Sequence, residues 1–227
     1  MSKTVLFAGA AAFALIAGGA SAAPSIGISG ARTSAFVHVA KGAKMLWNQN
    51  SNTNGSRVDS QNYTSGTLSG FDDQGADDFV VPKKQEWTVT EIDVSGTYFQ
   101  GYGPATSENV IFYSNNSGVP GKAVKGGTFT GLNGTDSSGS FAISLGKKGV
   151  KLKSGTYWVS VIANCSYHGG CGEWGWDENA TVTGYEAQWR NPGGDWGVCP
   201  TWDTLASCTS SSADFAFDLQ GKSTKKK

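Results

Sequence analysis

The chain has 227 residues, with eighteen Lys and Arg against eighteen Asp and Glu, thirty-two Gly, eight Trp and four Cys. That length, less an N-terminal leader, suits one domain of about 180 residues with a real core and leaves two domains cramped. Setting aside Lys3 and the C-terminal Lys222, Lys225, Lys226 and Lys227 leaves the body five charges negative, which argues against the basic footprint of a nucleic-acid binder.

In chain order, Lys3 precedes the apolar run "VLFAGAAAFALIAGG", and Ala20-Ser21-Ala22 closes it with a small-x-small cleavage pattern. Residues 1–22 therefore read as a signal peptide, its apolar run shorter than the roughly 20 residues a bilayer requires. No later segment approaches that length, so the mature protein is expected to be secreted or periplasmic, without a transmembrane anchor. Residues 23–44 lack a sustained pattern and are expected to be a flexible start, where His38 has no evident partner. A β-sandwich domain is expected over 45–221. Its strands include "WTVTEIDVSG", "NVIFYS" and "GGTFTG", separated by turn formers such as "NNSGVPG" and "NGTDSSG". In "FAISL" the residues Phe141, Ile143 and Leu145 share a face, and in "DFAFDL" Phe215, Phe217 and Leu219 do. "GTYWVSVIAN" puts Tyr157, Val159 and Val161 on one side and Trp158 and Ile162 on the other, the mark of a strand covered on both faces. About ten such strands imply an all-β, antiparallel sandwich of the jelly-roll kind. The closing residues 222–227 read as a basic, disordered tail.

Export makes the cysteines legible, because four Cys in an oxidising compartment most often pair. Cys165 and Cys171 bracket one short loop and Cys199 and Cys208 another, so two local staples are the simplest of three possible pairings. Zinc is the competing reading, with Cys165, His168 and Cys171 evenly spaced, although oxidation opposes metallation outside the cell.

Five of the eight Trp fall between His168 and Trp202, in "HGGCGEWGWDENATVTGYEAQWRNPGGDWGVCPTW". Aromatic rings offer flat apolar faces to sugars, and neighbouring carboxylates and amides can bond hydroxyls. Trp174 and Trp176 share one face of a strand, while Glu173 and Asp177 share the other. Trp189, Trp196, Trp202, Tyr167 and Tyr185 extend the candidate platform. The same rings would equally serve as a satellite core beneath long loops. Exposure of Trp174, Trp176 and Trp189 separates the two readings.

"FDDQGADDF" clusters Asp72, Asp73, Asp77 and Asp78, and so many carboxylates repel unless water, hydrogen bonds or a cation relieve them. Calcium is the natural candidate cation, but the spacing is not an EF-hand loop. The structural alternative has one Asp bonding nearby backbone while Phe79 enters the core.

"ADDFVVP", "WTVTEIDVSGTYF", "IFYSNNSGVPG", "SGTYWVSVIAN", "GEWGWDEN" with "QWRNPGGDWGVCPTW", and "DFAFDL" together resemble a widespread accessory β-sandwich domain of exported bacterial proteins. The resemblance runs from about Leu46 to Gly221. It implies architecture and context, a module beside secreted proteases or cell-surface repeats, with no agreed activity. It also implies that the cysteine after "NPGG" pairs shortly downstream, in accord with Cys199 to Cys208.

Catalysis has little sequence support. Only His38 and His168 are present, and neither a G-x-S-x-G elbow nor an H-E-x-x-H helix occurs. Paired carboxylates for glycoside hydrolysis, among Glu173, Asp177, Glu178, Glu186 and Asp195, form a weak pattern. The expectation is a non-catalytic, monomeric module binding polysaccharide or another cell-surface ligand, without a required cofactor. The alternative is a structural or protein-interaction domain with no small ligand.

Overall fold

The computed structural model describes residues 26–29 and 42–226. The expected leader, His38 and Lys227 lie outside the described residues. The described chain forms β1 (Gly27–Ser29), β2 (Lys44–Asn48), β3 (Thr53–Asp59), β4 (Gln61–Tyr63), β5 (Gln74–Val94), β6 (Gly96–Phe99), β7 (Ser107–Asn116) and β8 (Val119–Leu132). It continues through β9 (Thr135–Ser137), β10 (Ser140–Ser144), β11 (Val150–Cys165), β12 (Glu173–Asn179), β13 (Gln188–Arg190) and β14 (Asp203–Thr204), then the short helix α1 (Leu205–Thr209), β15 (Asp214–Phe215) and β16 (Phe217–Lys225).

Two sheets result. The smaller has the order β1-β3-β12-β15, with β6 also paired to β12. The larger runs β14-β13-β5-β11-β7-β8, with β10 and β16 on the second half of β5, β2 on β16, β9 on β10 and β4 on β11. All pairings among the described residues are antiparallel except β4 with β11. The chain is therefore an all-β sandwich, as its alternation implies.

β11 shows why the pattern reads this way. It lies between β5 and β7, so both edges of its backbone are bonded. Val159 and Val161 face the space between the sheets, and Trp158 faces the opposite side, where it is also buried. "DFAFDL" is more intricate than one alternating strand, because it crosses from one sheet to the other. Phe215 belongs to β15 in the small sheet and Phe217 to β16 in the large one, and both rings are fully buried between them. Ala216 is the crossing point.

Large rings fill the core where the opposing strand withdraws its side chain. A Cβ on Gly75 would come within 2.8 Å of the Phe215 ring, and one on Gly96 within 2.6 Å of Trp174 Nε1. Those two glycines are needed for close approach, and they explain part of the chain's glycine content. Burial of apolar area at roughly 25 cal/mol per Å² makes this ring layer the principal source of stability.

Two boundaries differ from expectation. Gly27–Ser29 are not part of a loose start, since β1 pairs with β3 through Gly27↔Val58 to Ser29↔Ser56. The basic end is not a disordered tail either. Lys222 to Lys225 continue β16 along β5, with Lys222 opposite Thr88 and Lys225 opposite Gln85, and the Lys226 amide donates to the Lys84 carbonyl at 2.8 Å. The backbone groups of β5 offered a bonding edge there, and strand pairing outweighs the polarity of the side chains.

Candidate functional site

The two staples are present: Cys165 with Cys171 and Cys199 with Cys208, leaving no free cysteine among the described residues. The zinc alternative through Cys165, His168 and Cys171 is thereby overturned, since disulfide sulfurs are not thiolate ligands.

The expected platform is not a surface. Trp174, Trp176 and Trp189 are each 0% exposed. Trp176 stacks on Phe215 with centroids 4.6 Å apart and meets Phe217 edge-on at 6.2 Å, while Trp174 stacks on Phe141 at 5.0 Å. Their ring N–H groups are consumed internally, Trp174 Nε1 donating to the Gly139 carbonyl (2.6 Å), Trp176 Nε1 to Ala216 (2.9 Å) and Trp189 Nε1 to Asp59 (2.8 Å). Trp174 and Trp176 do share a face, as the spacing requires, but it is the face turned inward.

Glu173 and Asp177 occupy the other face of β12, and both are buried too. Asp177 pairs with Arg57, Oδ1 lying 3.5 Å from Nε. Glu173 joins Asp59, Asp73 and Tyr63, whose hydroxyl donates to Asp59 Oδ2 and, at 3.4 Å, to Glu173 Oε1. Burial first, then mutual repulsion with Asp73 and Glu173, hold Asp59 well above the usual carboxylate range. Tyr167 is buried beside this group, its hydroxyl donating to Gln100 Oε1 at 2.7 Å.

The aspartates of "FDDQGADDF" divide between two networks rather than converging. Asp72 Oδ1 accepts from the Tyr63 amide (2.6 Å), and Asp73 Oδ1 from the Gln61 amide (2.8 Å). Asp77 accepts from the Asp78 and Phe215 amides, each at 2.7 Å, and from Gln49 Nε2 at 2.7 Å. Asp78 Oδ1 accepts from the Tyr185 amide at 2.8 Å. Among the described residues no group of three or more His, Cys, Asp or Glu is arranged to hold a metal ion. The features of the structural alternative are present: the carboxylates bond backbone, and Phe79 is fully buried.

Trp196 is half-buried, edge-on to Phe71 at 5.0 Å, with Nε1 donating to the Phe71 carbonyl (2.9 Å) and Asp73 Oδ2 (3.1 Å). It also borders a cleft of about 520 Å³ together with Arg57, Glu178 and the hydroxyls of Ser210 and Ser211.

Of the rest of the aromatic region, Tyr185 is exposed and Trp202, like Trp196, is half-buried; Tyr185 and Trp202 lie on the outer face of the large sheet. Register places Gln188 beside Ala76, and Trp158 beside Tyr113, on that face. Tyr185, 46% exposed, stacks on Trp158 with centroids 6.1 Å apart at 20°. Trp202 meets Tyr113 edge-on at 5.8 Å and carries the Arg190 guanidinium 4.4 Å above its ring. Arg190 Nε and Nη2 donate to Gln74 Oε1 (3.0 and 2.6 Å), and Gln74 Nε2 donates to Tyr113 Oη (2.7 Å) and Ser160 Oγ (2.9 Å). Trp158 Nε1 donates to Asn115 Oδ1 at 3.0 Å. Tyr185 and Trp202 thus rest on a bonded underlayer. Buried Gln188 has no hydrogen-bond partner for Oε1 among the described residues.

Sequence reasoning named Tyr185 and Trp202 as candidates but not the residues beneath them, Trp158, Tyr113, Arg190 and Gln74, which come from separate strands. The available signal was Trp158 itself: a strand with a large ring on its second face needs something to cover it.

No protein-family model and no curated protein matches the chain. Among solved structures it is similar to the cysteine protease and lectin-like domains of a surface layer associated protein of Clostridium difficile, with a TM-score of 0.52 and 12% identity. The match covers 84% of this chain and 37% of that one, so the chain spans little more than a third of its neighbour. At this identity the likeness is one of fold.

Proposed function

We propose that the protein is an extracellular, non-catalytic module that binds carbohydrate at the Tyr185–Trp202 end of the large sheet. The observation that carries this is the exposed Tyr185 ring, backed in parallel by Trp158, whose strand neighbour Tyr113 in turn meets Trp202 under the Arg190 guanidinium. A rigid ring presented this way can stack on the C–H face of a sugar while the neighbouring guanidinium and amides meet hydroxyls. Two disulfides and the resemblance to accessory domains of exported bacterial proteins support an extracellular setting. So does the structural neighbour, part of which is described as lectin-like in a surface layer associated protein.

The non-catalytic assignment rests on where the acids are. Glu173 and Asp177, the acids that alternate with Trp174 and Trp176, are enclosed by protein. The burial of Trp174, Trp176 and Trp189 favours the second reading, a structural or protein-interaction module, in which Tyr185 and Trp202 merely cover the sheet.

Binding of the purified protein to insoluble xylan, cellulose, chitin and peptidoglycan, measured beside a Tyr185→Ala/Trp202→Ala variant, decides between them. Retention of the wild type with at least a tenfold weaker, folded variant is the expected result. Equal retention of the two, or none by either, rejects the aromatic end as a sugar site.

A further inference from the structure

The formal charge of zero hides a separation of charge by depth. Twelve of the eighteen Asp and Glu are buried, whereas all twelve described lysines are exposed. The acids are spent on internal networks, so the outside is far more cationic than the composition suggests.

The lysines are not evenly spread. A groove of about 810 Å³ over the second half of β5 is bordered by Lys125, Lys147, Lys148, Lys151 and Lys222, with Thr88 and Thr90 on its floor. The register explains the convergence. Thr88 on β5 has Lys151 of β11 as its neighbour on one side and Lys222 of β16 on the other, so both ammonium groups project from the same sheet face. Two strand spacings put their backbones about 10 Å apart. Lys147 and Lys148 enter from the turn before β11, and Lys125 from β8. One residue pair further along, the same arrangement is neutralised: Glu86 lies between Lys153 and Thr224 and takes Lys226 at 3.3 Å. In the groove no acid intervenes, and none of its five lysines has an ion-pair partner among the described residues.

We infer that this groove is a second binding site, distinct from the aromatic end, for a linear anionic polysaccharide carrying one carboxylate per sugar. Five like charges brought together by strand pairing repel one another, and an extended polyanion relieves that repulsion. The lining argues for this polymer over nucleic acid. It contains no aromatic ring on which a base could stack, and no arginine for bidentate phosphate contact. Point-charge ammonium groups suit isolated carboxylates, and the threonine hydroxyls suit a polymer rich in hydroxyl groups.

The test is fluorescence anisotropy of labelled polygalacturonate with the full chain at 50 and 200 mM salt. It compares the wild type with Lys147→Gln/Lys151→Gln/Lys222→Gln and a Lys44→Gln/Lys122→Gln control. The wild type should bind, more weakly at higher salt as counterion release requires. The triple variant should bind at least tenfold more weakly at 50 mM salt with a shallower salt dependence, while the control stays within about twofold of the wild type. Thermal unfolding of the triple variant should be near that of the wild type, its three side chains being exposed. Equal binding by the triple variant overturns the inference, as does binding of neutral pullulan as tight as that of polygalacturonate. It is equally overturned if single-stranded DNA or phosphatidylglycerol vesicles bind at least as tightly. The aromatic end is tested separately by the Tyr185→Ala/Trp202→Ala variant on insoluble polysaccharides, so failure of that site and failure of the groove give different results.

Discussion

Replacing Trp176 with alanine tests most directly the conclusion that the tryptophans are interior. The indole is 0% exposed, stacks on Phe215 at 4.6 Å, and donates to the Ala216 carbonyl. Removing a buried ring of this size costs about 3–5 kcal/mol, through lost transfer energy and the cavity left behind. The lost hydrogen bond adds about 0.5–1.5 kcal/mol, at the low end here because the Ser95 amide still donates to the same carbonyl at 3.2 Å. For a domain of this size each kcal/mol lowers Tm by about 2–4 °C, so a drop of roughly 7–22 °C is expected. Differential scanning calorimetry reads it, and Trp176→Phe should lie between the variant and the wild type. A Trp176→Ala protein that is folded and melts within about 2 °C of the wild type would refute the interior placement.

Three further outcomes can be stated. Burial raises Asp214 to about 7 and Asp78 and Asp218 to about 6, so the folded chain keeps protons that the unfolded chain releases near its ordinary carboxylate value. The stability they contribute is complete below about pH 4 and is lost as pH rises through 6 to 7, so Tm should be higher at pH 5 than at pH 8; a Tm flat or rising over that interval contradicts it. Arg57→Ala removes the ion-pair partner of buried Asp177 and should cost about 3–5 kcal/mol in urea unfolding, whereas Arg57→Met with Asp177→Leu should recover most of the loss. Cys199→Ser/Cys208→Ser opens a loop of sequence separation 9 and should lower stability by about 2–3 kcal/mol, with reductant then having a smaller effect on the variant than on the wild type.

Much of the architecture is a local property of the chain and could be read from it. Period-two alternation in "FAISL" and the two-sided pattern of "GTYWVSVIAN" each depend on neighbours two residues apart, and the strands follow. The disulfides follow for the same reason, since each closes a short loop. Alternation says that Trp174 and Trp176 share a face but not which way that face points. That was decided by β12 lying in a sheet whose inner side meets Phe141, Phe215 and Phe217, residues brought there from other strands. The acids were illegible for a related reason: Asp59, Asp73 and Glu173, or Asp77 and Asp214, are distant in sequence and become one buried network only when the sheets close. Even the terminal lysines took their role from the fold. Read along the chain, "GKSTKKK" is a solvated tail, but β5 offers it a bonding edge, and pairing there sets Lys222 opposite Thr88 and across from Lys151. Strands carry their periodicity in the sequence; the partner that gives each face its neighbours is chosen only in three dimensions.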